Sequence, residues 1–151
     1  MSRVTASIDI DAPPERVWEV VMDPDRLGEW VSIHRDVAKV SDRPLRGGST
    51  LEQKMCLRGV NFHVRWKVAE ARDRELAVWE GRGPARSKAH TAYRLSANGD
   101  GGTRFEYENE FKAPLGPLGA AASRALVGGL PEREAKATLG KLKRLVERDG
   151  S

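Results

Sequence analysis

Apolar and charged residues alternate along most of the chain between Leu51 and Phe111. A period of two places successive side chains on opposite faces of a β-strand. Residues 34–43 fit such a strand less regularly. The short, glycine-rich connections are typical of antiparallel hairpins, so we expect one antiparallel sheet of six to seven strands with one apolar face. The regular strands are predicted at about 4–10, 51–57, 60–68, 74–82, 87–96 and 105–111.

The register of one hairpin follows from its apolar positions, which change from odd to even numbers across residues 58–59. A two-residue turn produces this change. Met55 is therefore expected beside Phe62, and Gln53 beside Val64.

The strand at 74–82 allows two orientations, because apolar residues occupy both of its faces. If Leu76 and Val78 face the interior, Glu80 faces it too. If Trp79 faces the interior, Glu80 lies outside. The sequence leaves both orientations open.

Two short helices are predicted after the first strand. Asp11 offers a capping carboxylate, and the prolines and acid that follow suit a first helical turn. Asp23 and the next proline repeat this signal for a second helix that ends near Trp30. A long helical segment at about 116–147 closes the chain, with a break expected at Pro131 because proline removes a helical hydrogen bond. Its second half is expected to carry an apolar stripe at Ala135, Leu139, Leu142 and Val146.

Length and charge favour a single domain spanning residues 1–151, with a solvated surface. The net charge is +4, but the 26 basic residues are interleaved with 22 acidic ones. Dedicated nucleic-acid binders usually cluster their basic residues, so we expect no nucleic-acid partner. The sequence does not distinguish a monomer from a homodimer.

Several other classes of protein are disfavoured by composition. The chain has no apolar run near the ~20 residues that a membrane span requires, and its N-terminus lacks the apolar core of a signal peptide. We therefore expect a cytoplasmic protein. The single cysteine, Cys56, and three scattered histidines provide no ligand spacing for a metal, and no cofactor is expected.

The order of elements resembles the helix-grip fold of the START-like (SRPBCC) superfamily, which includes polyketide cyclases and dehydrases, the birch-pollen allergen group and many small bacterial proteins. The residues that carry this resemblance are 12–18 (APPERVW), 23–30 (DPDRLGEW) and the closing stretch 118–145. The resemblance implies an α+β fold with two short helices after the first strand and a long C-terminal helix packed across the concave face of a curved sheet. It also implies a pocket between the sheet and that helix for a hydrophobic or amphipathic small molecule.

The lining of that pocket is predicted from the alternation in the strands and from the small residues in the first half of the closing helix. Walls that are mostly apolar, with a few polar groups, are typical of ligand pockets. The predicted lining is Trp30, Gln53, Met55, Phe62, Val64, Trp66, Tyr93, Phe105, Tyr107, Asn109, Leu118, Ala122, Ala125 and Leu126.

Gln53, Tyr93, Tyr107 and Asn109 are the polar residues of this lining. A buried polar group without a partner costs about 1–3 kcal/mol, so these four either bond to one another or contact a ligand. We expect His34 to be exposed at the start of a strand, the alternative being that it faces the pocket mouth. The candidate catalytic residues are His34, Tyr93, Tyr107 and Asn109.

Three functions are compatible with this sequence. The first is binding of a hydrophobic or amphipathic small molecule, lipid-like or polyketide-like, in the pocket. The second is a cyclase or dehydrase that requires an acid and a base within reach of its substrate. The third is a protein-interaction module with a filled cavity and an exposed apolar patch. The sequence does not identify the ligand or establish turnover.

Overall fold

The computed structural model describes residues 2–57, 59–112 and 130–149, which form an α+β helix-grip fold. Seven strands form one antiparallel sheet in the order β1-β7-β6-β5-β4-β3-β2. The strands are β1 (Ser2–Ile10), β2 (His34–Ala38), β3 (Thr50–Leu57), β4 (Val60–Arg72), β5 (Leu76–Arg82), β6 (Lys88–Ala97) and β7 (Thr103–Lys112). The helices are α1 (Pro14–Val21), α2 (Leu27–Trp30), which follows a 3₁₀ turn at Pro24–Arg26, and α3 (Leu130–Asp149).

The hairpin between β3 and β4 has the predicted register. Met55 pairs with Phe62, and Gln53 pairs with Val64. Gly59 has a φ of 79°, a conformation that glycine adopts without steric cost. The change of parity in the sequence therefore identified this turn correctly.

The orientation of β5 is the one that places Trp79 inside. Trp66 pairs directly with Gly81, and Val68 with Trp79. Because directly paired residues project to the same face, Trp79 joins the buried Val68 on the interior face. Glu80 is consequently exposed on the outer face.

Two strands differ in length from the prediction. β2 ends at Ala38, short of the predicted 34–43, because Lys39 adopts a left-handed φ of 54° and leaves the ladder. β4 continues to Arg72, with an irregularity between Val68 and Glu70. Such a bulge lets a strand bend and continue.

The expected capping role of Asp11 is wrong. The N-cap of α1 is Pro13, and no side chain caps it. Asp11 lies two residues before the cap, and its backbone N–H donates to Oε1 of Glu147 at 3.1 Å. At the second helix, Asp23 accepts a hydrogen bond from the Asp25 N–H at 3.0 Å, as its sequence signal indicated.

Helix α3 packs against β1, α1 and α2. Its predicted apolar stripe at Ala135, Leu139, Leu142 and Val146 is buried. Pro131 lies in the first turn of the described helix, where proline is tolerated; the predicted part before Leu130 lies outside the described residues. We call the core under α3 the aliphatic end, formed by Ile10, Val17, Val20, Val21, Leu139, Leu142 and Val146.

Candidate functional site

Six aromatic side chains from α2 and the interior face of the sheet contact one another. Tyr93 lies at their centre, with ring-centroid distances of 5.9 Å to Trp30 and 6.1 Å to Trp79. Tyr93 is also 5.6 Å from Phe105 and 6.1 Å from Tyr107. We call this cluster the aromatic patch; it consists of Trp30, Trp66, Trp79, Tyr93, Phe105 and Tyr107.

Trp66 lies close to the backbone of β5 because Gly81 is opposite it. A Cβ atom at Gly81 would lie 2.7 Å from Cζ3 of Trp66 and 2.9 Å from Cγ1 of Val64. Only a residue without a side chain permits this approach. Gly81 therefore places the Trp66 indole against Trp79, at a ring distance of 6.3 Å.

Two indole N–H groups of the aromatic patch are buried without a hydrogen-bond partner among the described residues. They belong to Trp30, which is 1% exposed, and Trp79, which is 5% exposed. Leaving such a donor unpaired costs about 1–3 kcal/mol. Since both indoles contact Tyr93, the two unpaired donors belong to the same part of the interior.

The two tyrosines of the aromatic patch are neutral at physiological pH. Burial raises the pKa of Tyr93, with a further contribution from Tyr107, and burial raises the pKa of Tyr107 to about 12. Neither hydroxyl has a hydrogen-bond partner within the described part of the chain. Both phenols are thus uncharged groups able to donate a hydrogen bond.

Gln53 links the aromatic patch to His34. The Trp66 indole N–H donates to Oε1 of Gln53 at 2.9 Å, and Nε2 of Gln53 lies 2.9 Å from Nδ1 of His34. Gln53 is 5% exposed, and His34 is half-buried rather than exposed, so the expectation of a solvent-facing His34 is wrong. Burial lowers the pKa of His34; Asp36 partly opposes this shift and Arg35 adds to it.

The fourth polar residue of the predicted lining is already paired. The Thr91 hydroxyl donates to Oδ1 of Asn109 at 3.0 Å. Thr91 is buried. Of the four polar residues, Gln53 and Asn109 therefore each bond another side chain, whereas the two tyrosine hydroxyls do not.

The remaining predicted lining residues divide into two groups. Met55 and Val64 are buried and Phe62 is half-buried on the β3–β4 side of the sheet. Leu118, Ala122, Ala125 and Leu126 lie outside the described residues. Contact of any of these residues with a ligand stays a prediction.

Sequence reasoning missed three residues that shape this site. The sequence left open whether Trp79 faces the interior, because both faces of β5 carry apolar residues. Thr91 has the parity of Tyr93 and could have been assigned inward from it. Gly81 gave no signal, because its role depends on where the Trp66 ring lies.

Two open depressions lie on the surface of the protein and are lined mainly by polar and charged residues. They have volumes of about 270 and 330 Å³, and both include Arg94 and Glu106 in their lining.

Across residues 2–57, 59–112 and 130–149, no group of three or more His, Cys, Asp or Glu side chains could hold a metal ion. No helix in these ranges is long and apolar enough to cross a membrane.

Solved structures with the same architecture cover nearly the whole chain. The Zhui aromatase/cyclase from Streptomyces sp. R1128 aligns with a TM-score of 0.80 and 16% identity, over 99% of this chain and 96% of that one. The protein TTHA0849 from Thermus thermophilus aligns with a TM-score of 0.77 and 19% identity, over 99% and 100% of the two chains. At these identities the likeness establishes the fold.

Sequence comparison finds relatives in Mycobacterium tuberculosis H37Rv. The protein named toxin Rv0910 is 25% identical over 133 residues, covering 87% of this chain and 92% of the relative. The uncharacterized protein Rv1546 is 28% identical over 131 residues, covering 85% and 90%. The model of the family described as polyketide cyclase/dehydrase and lipid transport matches residues 1–147, and the chain belongs to this family.

Proposed function

We propose that the protein binds an apolar small molecule, lipid-like or polyketide-like, over the aromatic patch, between the sheet and the C-terminal helix. The molecule carries oxygens that accept hydrogen bonds. The observation that carries this proposal is the pair of buried, unpaired indole N–H groups of Trp30 and Trp79. A ligand oxygen beside them would remove the cost of burying two unsatisfied donors.

Every polar group available on the aromatic patch can donate a hydrogen bond, and only the tyrosine hydroxyls can also accept one. The indoles of Trp30 and Trp79 can only donate. Tyr93 and Tyr107 remain protonated and can donate as well. The side-chain oxygens of the neighbouring amides are occupied: Oε1 of Gln53 accepts from Trp66, and Oδ1 of Asn109 accepts from Thr91. A ligand with carbonyl or ether oxygens on an aromatic or aliphatic frame matches this arrangement.

Binding of a small molecule is favoured over the two alternatives, a cyclase or dehydrase and a protein-interaction module. Cyclisation or dehydration requires a general base, and the described side chains in the ring contacts of the aromatic patch and in the Trp66–Gln53–His34 chain of hydrogen bonds include no carboxylate. A protein-interaction module would present an exposed apolar surface, but in the described part of the chain the exposed large apolar residue is Val60, at 63%, which stands by itself.

The test compares two planar probes, anthraquinone and anthracene, by isothermal titration calorimetry. They share a ring frame, and only anthraquinone carries acceptor oxygens. We expect the protein to bind anthraquinone more tightly. Trp30→Phe and Trp79→Phe keep an aromatic ring and remove the N–H, so each should weaken anthraquinone binding by about 2- to 10-fold, the equivalent of one hydrogen bond, and leave anthracene binding unchanged.

Trp18→Phe is the matched control, because Trp18 is a partly buried tryptophan of α1 that packs on the core outside the aromatic patch. It should bind both probes as the unsubstituted protein does. Failure of either probe to bind, or equal anthraquinone affinity in all three variants, would refute the proposal.

A further inference from the structure

The hydrogen bonds around Gln53 have a defined direction. An indole N–H has no acceptor lone pair in the ring plane and can only donate. The atom of Gln53 that lies 2.9 Å from the Trp66 indole must therefore be the oxygen, Oε1. The other end of the same amide, its NH₂ group, then faces His34.

This direction determines which nitrogen of His34 carries the proton. The NH₂ group of Gln53 donates, so Nδ1 of His34, 2.9 Å away, must accept. In a neutral imidazole one ring nitrogen accepts and the other donates. The proton of His34 is therefore on Nε2, and a second proton on Nδ1 would face a donor.

We propose that Trp66, acting through Gln53, holds His34 as the neutral tautomer protonated on Nε2, and that His34 thereby gives the ligand site another uncharged donor. Gln53 and Trp66 are positioning residues in this arrangement. The ligand contact of His34 rests on the proposed function, whereas the tautomer does not.

The surroundings of His34 agree with a neutral ring. Met55 pairs with it across β3, and a Cβ atom at Gly28 of α2 would lie 3.4 Å from its Cδ2. Two charged residues of its own strand, Arg35 and Asp36, act in opposite directions on the pKa of His34. Two acids on the neighbouring helices have other partners: Glu29 of α2 accepts from Arg26, and Glu134 of α3 accepts from Ser32.

The hydrogen bonds that run from Trp66 through Gln53 to His34 depend on the position of β5. Gly81 allows the Trp66 ring to lie against the strand. The register of β3 and β4, with Leu51 opposite Trp66 and Gln53 opposite Val64, then places the indole diagonally across from the amide. The tautomer of His34 is thus set by packing four strands into the sheet.

An uncharged donor at His34 has a consequence for specificity. The polar groups of the aromatic patch are all uncharged, and a neutral His34 adds no positive charge to them. A buried carboxylate in the ligand would then lack a compensating cation and would retain most of its desolvation cost. We infer that the site prefers an uncharged acceptor oxygen over an anionic one.

The test is two-bond ¹H–¹⁵N NMR of protein labelled at histidine, which reports the protonation of each ring nitrogen. For His34 we expect an unprotonated Nδ1 and a protonated Nε2 at pH 7. His63 and His90 are exposed and serve as internal references that the substitutions should not move. A His34 protonated on Nδ1 in the unsubstituted protein would overturn the proposal.

Two substitutions separate positioning from general packing. Gln53→Glu supplies a carboxylate that accepts from both Trp66 and Nδ1–H, so the proton should move to Nδ1 and the titration midpoint of His34 should rise. Trp66→Phe keeps the ring and frees the amide to rotate, so His34 should show both tautomers. If Trp66→Phe leaves a single Nε2–H tautomer, the indole does not orient the amide and the proposal fails.

The ligand contact is tested separately by calorimetry with anthraquinone and its 2-carboxylate. We expect His34→Phe to weaken anthraquinone binding by about 2- to 10-fold, and the unsubstituted protein to bind the carboxylate more weakly than anthraquinone. Unchanged affinity in His34→Phe, or preference for the carboxylate, would remove His34 from the ligand site. If anthraquinone does not bind the unsubstituted protein, the proposed function fails while the NMR result on the tautomer stands.

Discussion

The aliphatic end and the aromatic patch lie in the same interior but differ in how their polar groups are treated. At the aliphatic end the hydrogen bonds are closed within the protein. The buried Thr103 hydroxyl donates to the carbonyl of Ala12, a core residue just before α1, at 2.7 Å. On the aromatic patch, the N–H groups of Trp30 and Trp79 are buried with no partner among the described residues.

This difference assigns the stability of the fold to the aliphatic end and ligand binding to the aromatic patch. The aliphatic end buries branched side chains and leaves no described donor unpaired, so its free energy of folding does not depend on a ligand. The aromatic patch leaves donors unpaired, at a cost that a ligand could remove. Departures from complete pairing are expected at functional sites. Changes at the two regions should therefore affect different measurements.

The largest expected effect is on stability, at the aliphatic end. Leu142 of α3 is 0% exposed and belongs to the core with Val17 and Val146. Leu142→Ala should lower the free energy of unfolding by about 2–5 kcal/mol, because it removes buried methyl groups and leaves a cavity. Urea denaturation would measure this loss.

The same variant tests the separation between the two regions. Below its unfolding transition, Leu142→Ala should bind anthraquinone as the unsubstituted protein does. The control is Val60→Ala, because Val60 is 63% exposed and its truncation should change stability by less than about 0.5 kcal/mol. A loss at Leu142 as small as that at Val60 would contradict the assignment of a packed core under α3.

A smaller effect is expected where the aromatic patch meets the sheet. Gly81→Ala places a methyl group 2.7 Å from the Trp66 ring, so the ring or β5 must shift. Overpacking of this kind costs about 1–3 kcal/mol. Unlike Leu142→Ala, this substitution should also disturb the bond from Trp66 to Gln53 and hence the NMR signals of His34.

Gly47→Ala is the matched control for Gly81→Ala. The atom nearest to a Cβ at Gly47 is the Ala71 nitrogen, 3.9 Å away, so the methyl group fits. Urea denaturation and the His34 spectrum should be unchanged or, for stability, slightly improved. If Gly81→Ala behaves as Gly47→Ala does, the close approach of Trp66 is not needed for the fold.

The sequence predicted those features that depend on alternation alone. The pairing of Met55 with Phe62 follows from apolar parity across one turn, and the parity of Tyr93 and Tyr107 placed both on the interior face. These positions are set locally by the pleat of each strand. The buried stripe of α3 is also a local feature, because the helical period alone places Ala135, Leu139, Leu142 and Val146 on one side of the helix.

The sequence did not predict contacts that depend on several strands at once. The face of Trp79 could not be assigned, because both faces of β5 carry apolar residues and the bulge after Val68 that sets the β4–β5 register has no distinct signal. The bond between Gln53 and His34 requires the β2–β3 register, which also shifts between His34 and Asp36. The aromatic patch was therefore predictable as a set of interior rings, and its pattern of paired and unpaired donors was not.

The pH dependence of stability should also separate the two regions, because they respond at opposite ends of the pH scale. At the aliphatic end, the hydrogen bond from Lys143 holds the pKa of Glu147 below its ordinary value, with help from the Asp11 N–H. A lowered pKa means that this stabilisation is present at neutral pH and is lost as the pH falls through the folded-state pKa. Glu147→Gln should flatten that acid limb by about 0.3–0.5 kcal/mol, the value of an exposed helix pair.

On the aromatic patch the sign is reversed. Burial raises the pKa of Tyr107 from 10.0 to about 12, so the stabilisation is complete below pH 10 and is lost as the pH rises toward 12. Tyr107→Phe removes the ionising group and should reduce this alkaline loss, while Tyr93 retains its own part of it. Unfolding free energies from urea titrations at each pH, taken as differences between variant and unsubstituted protein, separate the two limbs. If Tyr107→Phe changed the acid limb, or Glu147→Gln the alkaline one, the two regions would be coupled through the sheet and the separation drawn between them would be wrong.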